Sequence, residues 1–498
     1  MTTKKKNKFP FDSLRDYAAA LKEQGRFIEI EEMDQDRYEM TAFSYRLEDR
    51  LQDTAPAFLV RRTKINGRTY DMPVVGNLFN GFGSVAQCFG APLDEMTESR
   101  SEMHALASRK ILNCLGDDFR WKTIEPVVID KAQAACKQVI YTGEDVDIFR
   151  FPWIKNNPAD GGRFVSSGCA VMQDPELGRN VGTYRLHVKG PRKVGICLTQ
   201  PSHGFQFVMR AAERGLERIP VSVAVGVDPL TFMMSGTRLA DLGEDEFAIA
   251  GGFRGKPVEL VKSETSDILV PAHAEIIIEG EIPIMEAEED GPYGELFGYI
   301  GHKHQAFYID IKAITCRTSP WVYNIWPGIG GAYLTLPWDV SHFARLKKIM
   351  RNLVKLYTPV ETPSIVIISI DKKLPGEGIE AGMMVLGYRM VGFSKKIVIV
   401  VDRDIDPTDT ARVMHAVGTR WQPHPASLLV KQSIHIPVEP SCREMFLSSK
   451  IVIDATRQLS SEGGPNMFPL DNRTVVEERA PEAFEIVDSK WAEYFNDK

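Results

Sequence analysis

The chain has 498 residues, 43% hydrophobic and 26% charged, a composition that excludes a disordered, collagen-like or membrane-embedded protein. Sixty basic against 67 acidic residues leave a net charge of -7, so nothing global favours nucleic acid or an anionic membrane, and a small molecule is the default partner. Seven cysteines, spread along the chain without a CxxC pair, match neither a disulfide framework nor a zinc ribbon and read as buried thiols in the cytoplasm. The basic start MTTKKKNKFPFDS has no apolar run behind it, and no stretch approaches a membrane span. Length alone predicts two or three domains, because single cores stop growing beyond about 250–300 residues.

Asp12 or Ser13 is the expected cap of a first helix with Leu14, Tyr17, Ala18 and Leu21 at helical spacing and Gly25 as its stop. A strand at Phe27, Ile28 and Ile30, apolar runs at 57–60 and 73–79, and a helix-favouring stretch over 94–110 make residues 1–115 a small α/β region. Short β-rich runs follow at 125–129, 163–172, 182–188, 221–227, 274–279 and 306–312, with one helix near 205–214. Such a rhythm predicts a barrel or sandwich over 116–325. Phe343, Leu346, Ile349, Met350 and Leu353 predict a connecting helix of about five turns. Strands at 365–370, 396–401 and 451–453 with a helix at 408–419 give 326–460 a second α/β pattern, and 461–498 reads as a polar arm.

Several motifs fail on their chemistry. Gly251, Gly252 and Gly255-Lys256 resemble a phosphate loop, but Pro257 stands where magnesium needs a hydroxyl. Asp402, Asp404 and Asp406 alternate like a calcium loop, yet Pro407 takes the obligatory Gly place, so a solvated strand end is expected. His302 and His304 share a strand face but lack a carboxylate beside them for a metal. Gly328, Gly330 and Gly331 do not sit in a βαβ context.

Two sets of residues carry more. Asn180, His203 and Glu246 offer an amide oxygen, an imidazole and a carboxylate, a donor set for a divalent cation that leaves room for phosphate or water. Each also has a plain structural reading, as a turn Asn, a core His and a helix-start Glu. In Glu289-Asp290-Gly291-Pro292-Tyr293-Gly294-Glu295 the Gly-Pro and Tyr-Gly turns can fold Asp290 back toward Glu295. Two close carboxylates cannot both ionise cheaply; one becomes a general acid while a guanidinium such as Arg185 holds the other as an anion. The competing reading is an acidic surface turn.

With those residues in view, the chain resembles the UbiD-type decarboxylases, which use prenylated flavin mononucleotide. The resemblance rests on Asp160-Gly161-Gly162, on NVGTYR with Asn180 and Arg185, on VPAHAEIIIEGEIP leading into GPYGELFGYIG, and on KIVIVVDRDIDP and IVIDAT, all in order. It implies an α+β fold: an N-terminal α/β region, a central split β-barrel of flavin-reductase type, and a C-terminal α/β oligomerisation domain. It further implies that Asn180, His203 and Glu246 hold Mn2+ against the phosphate of prenylated FMN, with K+ beside it. Arg185 would contact the flavin and one loop carboxylate, Glu295 would move the proton, and Lys396, or its neighbour Lys395, would meet the phosphate.

The implied activity is reversible decarboxylation of an aromatic or α,β-unsaturated carboxylic acid. Carbon dioxide leaves and Glu295 protonates the carbon that lost it. A flavin prenyltransferase would supply the cofactor, and the protein would be a homo-oligomer, dimer or hexamer. Two features depart from the family pattern. Asp290 stands where a Glu is usual, which leaves a part for Glu289, and the stretch from Trp326 to Leu334 is small, apolar and aromatic where relatives are more polar. The second departure predicts a roomy apolar pocket for a bulky or polycyclic acid. The rivals are a flavin-dependent oxidoreductase on the same barrel and a non-catalytic assembly subunit of a carboxylase complex.

Overall fold

The computed structural model describes residues 9–495 apart from 238, 330, 443 and 445, so the basic stretch 1–8 and Gly330 lie outside the described residues. The first helix runs Leu14–Glu23, and the Ser13 hydroxyl accepts from the Asp16 N–H, so Ser13 rather than Asp12 is the cap. Its apolar stripe packs on a sheet ordered Phe27–Asp34, Ala57–Ile65, Val74–Gly76, Val322–Tyr323, with Arg68–Tyr70 paired to the second strand. The first two strands are parallel, which demands a crossover. That crossover is the helix Glu39–Leu51, absent from the sequence reading because polar Thr41 and Ser44 share its buried stripe with Met40 and Leu47.

The centre is a closed antiparallel barrel of six strands: Ile276–Pro283, Arg218–Val225, Phe164–Asp174, Gly178–Gly190, Lys193–Ile196 and His304–Cys316, the last pairing back to the first. Closure removes the sheet edges, and alternate side chains such as Met172, Leu186, Val223, Ile278 and Ile309 fill the interior. The helix His203–Glu213 buries Phe207, Val208 and Ala211 against it. Its C-terminal end is held by Asp174, which is 1% exposed and accepts from Arg210 Nε at 3.3 Å and Arg214 Nη1 at 2.6 Å. Asp174 also takes the N–H groups of Glu176 and Leu177. Asp174→Ala removes the acceptor of two partly exposed guanidinium groups and two N–H groups and is expected to cost about 2 kcal/mol in a urea unfolding series. An unshifted midpoint would show that this anchor contributes nothing.

Beyond the barrel, the connecting helix is Leu336–Ile349, about four turns rather than five. It stops at Met350, and Leu353 belongs to the edge strand Leu353–Tyr357. That strand opens a sheet ordered Leu353–Tyr357, Ile365–Ile370, Ile397–Asp402, Leu447–Asp454, Ser427–Ile434, parallel at its centre and antiparallel at both edges. Asp402, Asp404 and Asp406 are not a solvated strand end. Asp402 and Asp404 hold Arg420, Asp404 also holds Arg457, and Asp406 takes Lys355. The arm contains helices Asn472–Arg479 and Pro481–Ser489, neither with a buried residue. Among the described residues no helix is long and apolar enough to cross a membrane.

Candidate active site

Strand Gly178–Gly190 carries one member of each residue set, Asn180 and Arg185. Its alternation sends Tyr184 and Leu186 toward the barrel core, while Arg185 and His187 face the loop after strand Glu288–Asp290. Arg185 Nη2 donates to Asp290 Oδ2 at 3.1 Å, and its Nη1 donates to Glu295 Oε1 in a very short contact. The guanidinium lies 5.0 Å from the centroid of the Tyr293 ring. The loop is no solvated acidic turn: Asp290 is 1% and Glu295 16% exposed in their side chains.

The DGG turn clamps this loop. The Gly161 N–H donates to the Pro292 carbonyl at 2.8 Å, and Asp160 Oδ1 accepts from the Gly294 N–H at 3.1 Å. A Cβ on Gly161 would sit 2.2 Å from the Gly291 carbonyl oxygen, so only glycine allows the approach, and Gly291 itself has φ 82°. The carboxylates are driven in opposite directions. Burial pushes Glu295 up, and Arg185 only partly offsets it. Burial also acts on Asp290, but His187 and Arg185 together hold it below the ordinary aspartate range.

His187 was not singled out from sequence, although its place two residues beyond Arg185 puts it on the same strand face. Its Nδ1 lies 3.5 Å from Asp290 Oδ1, and the ring stacks on Phe164 at 4.4 Å. His304 Nε2 lies 3.9 Å from Asp290 Oδ2 and 3.6 Å from Cys197 Sγ. His302 is exposed, so these two histidines do not act as a pair. Burial pushes the Cys197 thiol up to about 11, keeping it protonated. Glu289 turns away and pairs with Lys303 at 2.7 Å, which leaves Asp290 alone in the first carboxylate position.

Of the second set, Glu246 meets the strand beside Asn180, while His203 sits on a helix that touches the same strand farther along, at Tyr184. Glu246 opens helix Glu246–Arg254, and its Oε2 accepts from the Val181 N–H, next to Asn180, at 2.8 Å. His203 opens its own helix, whose Gly204 N–H donates to the Tyr184 hydroxyl at 3.0 Å. Asn180 is 3% exposed, and its Nδ2 has no hydrogen-bond partner among the described residues. Burial pushes Glu246 up to about 8, and no cationic side chain among the described residues offsets it. A sunken carboxylate with no counter-cation among those residues, beside an unsatisfied amide, fits a cation site. Lys396 does not join this group: its Nζ donates to Glu439 at 3.0 Å and Ser441 at 2.6 Å in the C-terminal unit. Lys395 donates to the Pro363 carbonyl.

Among the described residues the roomy apolar pocket expected from the Trp326 stretch does not form. Trp326 turns inward, donating to Thr41 Oγ1 at 3.1 Å and packing on Phe58, and Tyr333 is buried against Asp53. Trp326, Pro327 and Ile329, with Asn156 and Asn157, leave a cavity of only about 30 Å³ beside Glu295. A far larger cavity, about 640 Å³, opens between helix His203–Glu213 and the C-terminal unit, lined by Phe205, Met209, Leu242, Phe393 and Phe446.

The chain matches three family models in order: the N-terminal domain of 3-octaprenyl-4-hydroxybenzoate carboxy-lyase over residues 18–103, its Rift-related domain over 127–335 and its C-terminal domain over 335–455. It is 28% identical over 488 residues to a phenolic acid decarboxylase of Bacillus subtilis, covering 94% of this chain and 97% of that one. The vanillic acid decarboxylase of Sedimentibacter hydroxybenzoicus, in its closed form, superposes with a TM-score of 0.81 at 26% identity, over 96% of this chain and 99% of that one. An evolved dimeric form of the UbiD-class enzyme HmfF from Pelotomaculum thermopropionicum, in complex with prFMN, does so at 0.76 and 26% identity, over 93% and 97%. With barrel, loop and all three domains in register, this chain belongs to the UbiD family of carboxy-lyases.

Proposed function

We propose that the protein is a reversible, non-oxidative decarboxylase of an aromatic or α,β-unsaturated carboxylic acid, working with prenylated FMN. The observation that carries this reading is the partly buried Arg185, bonded at once to Asp290 and Glu295, whose proton affinities are pushed apart. A carboxyl kept protonated beside an anchored anion can deliver a proton to carbon. Asn180, His203 and Glu246 would hold Mn2+ against the cofactor phosphate, with K+ beside it, and Lys396 would serve that phosphate only by leaving Glu439. When bound, the cofactor supplies the electron sink that decarboxylation needs. The chain orients the acid, keeps water from the reacting carbon and returns the proton from Glu295.

The named relatives act on phenolic and vanillic acids, and the HmfF structure holds prFMN, which supports an aromatic acid and this cofactor. A flavin prenyltransferase in the same cell would supply the cofactor, and we take the working form to be a homo-oligomer.

The test is protein co-produced with such a prenyltransferase, kept anaerobic, and assayed for carbon dioxide with a panel of single-ring and polycyclic acids. We expect turnover of hydroxybenzoic-type acids and a prenylated flavin by mass spectrometry. Plain FMN with nicotinamide oxidation would instead support an oxidoreductase. A loaded protein inert to every acid would support an assembly subunit.

A further inference from the structure

A second set of metal-binding atoms lies in the C-terminal unit, outside the barrel. His435 follows strand Ser427–Ile434 and is completely buried. Its Nδ1 lies 3.2 Å from the Ile436 carbonyl and donates there, so the lone pair falls on Nε2, which has no hydrogen-bond partner among the described residues. A carboxylate oxygen of Glu439 and the sulfur of Cys442 complete a group whose three donor atoms all lie within 4.8 Å of one another. Glu439 is fixed in place: Oε1 accepts from Lys396 Nζ at 3.0 Å and from the Ser441 N–H at 3.1 Å, and Oε2 accepts from the Ser441 hydroxyl at 3.0 Å. Cys442 Sγ is 3.6 Å from Glu439 Oε2. Zinc bonds of about 2.3 Å to sulfur and about 2.0 Å to oxygen give a tetrahedral S···O edge of about 3.5 Å.

We propose that His435, Glu439 and Cys442 bind a borderline divalent cation, zinc above all, distinct from the cation at Asn180, His203 and Glu246. One nitrogen, one oxygen and one sulfur suit zinc better than manganese or magnesium. The Nδ1–H···O=C bond is the outer contact that fixes a ligating imidazole. Binding expels the Cys442 thiol proton to solvent, and water fills the fourth position. The ion would tie down residues 435–442, and Ile434, just before them, lines the large cavity.

The experiment is native mass spectrometry of the full-length protein and its Glu246→Gln variant, each with one equivalent of Zn2+, followed by zinc X-ray absorption. One zinc per chain, retained in Glu246→Gln and showing one sulfur neighbour, is expected. Cys442→Ser should lose that sulfur and weaken zinc by at least the roughly 10–100-fold that even an outer contact is worth. His435→Ala should weaken it likewise, while far-ultraviolet circular dichroism confirms that both variants fold. No zinc at micromolar concentration, an adventitious ion without sulfur, or binding indifferent to both substitutions overturns the assignment. Failure of decarboxylation assays would leave this result untouched, since it is read from metal content alone.

Discussion

Glu295→Gln is expected to lower decarboxylation about 10²–10⁴-fold, the usual worth of a positioned general acid, while cofactor and metal content stay at wild-type levels. The amide keeps the shape of the side chain and can still meet Arg185, but it has no proton to give. The pH profile follows from the opposed shifts. Glu295 must hold its proton, and burial raises its titration, so the rate falls as pH rises through that raised value. Asp290 must be ionised, and His187 with Arg185 lowers its titration, so the acid limb lies below the ordinary aspartate range. In the variant the alkaline limb assigned to Glu295 disappears. Undiminished turnover would remove Glu295 from the chemistry; loss of cofactor along with activity would make it a binding residue.

Glu246→Gln and His203→Ala are expected to lose manganese and flavin together, by more than the roughly 10–100-fold that an outer contact costs a metal site. Metal analysis after gel filtration reads this directly, and retention of both would detach these residues from the cation. The buried carboxylate adds a second signature. An acid titrating near 8 when folded, against about 4.5 ordinarily, binds more protons in the native than in the unfolded chain between those values. Metal-free wild type should therefore lose stability as pH rises from about 4.5 through about 8, and Glu246→Gln should not. Manganese affinity should climb over the same range, because the ligand must shed its proton. Parallel melting curves for the two proteins at pH 5 and 8 would refute the uncompensated charge.

Much of this site is legible in one dimension because strands and turns are local. Strand Ile365–Ile370 has the bounds its apolar run gives it, and the turn chemistry of residues 289–295 does fold Asp290 and Glu295 onto one guanidinium. What escapes the sequence is carried by polar residues with buried partners. Helix Glu39–Leu51 hides because Thr41 and Ser44 face inward, satisfied by backbone carbonyls. Asp402 and Asp404 look solvated until Arg420 and Arg457 arrive from 16 and 53 residues away. His187 becomes visible only once the loop is known to bring Asp290 against it. Trp326 sits where a pocket wall was expected, yet Phe58 and Thr41 draw it into the core, a choice that no local pattern encodes.

The two-residue strand Val322–Tyr323 has a consequence for how the chain is made. It supplies the last strand of the N-terminal sheet, beside Val74–Gly76, although more than two hundred residues of barrel separate them. During synthesis the first sheet therefore emerges with an open, wholly apolar edge that stays uncovered until the barrel has left the ribosome. Residues 1–115 produced alone would leave the same edge bare, an exposed apolar strand that the whole chain covers.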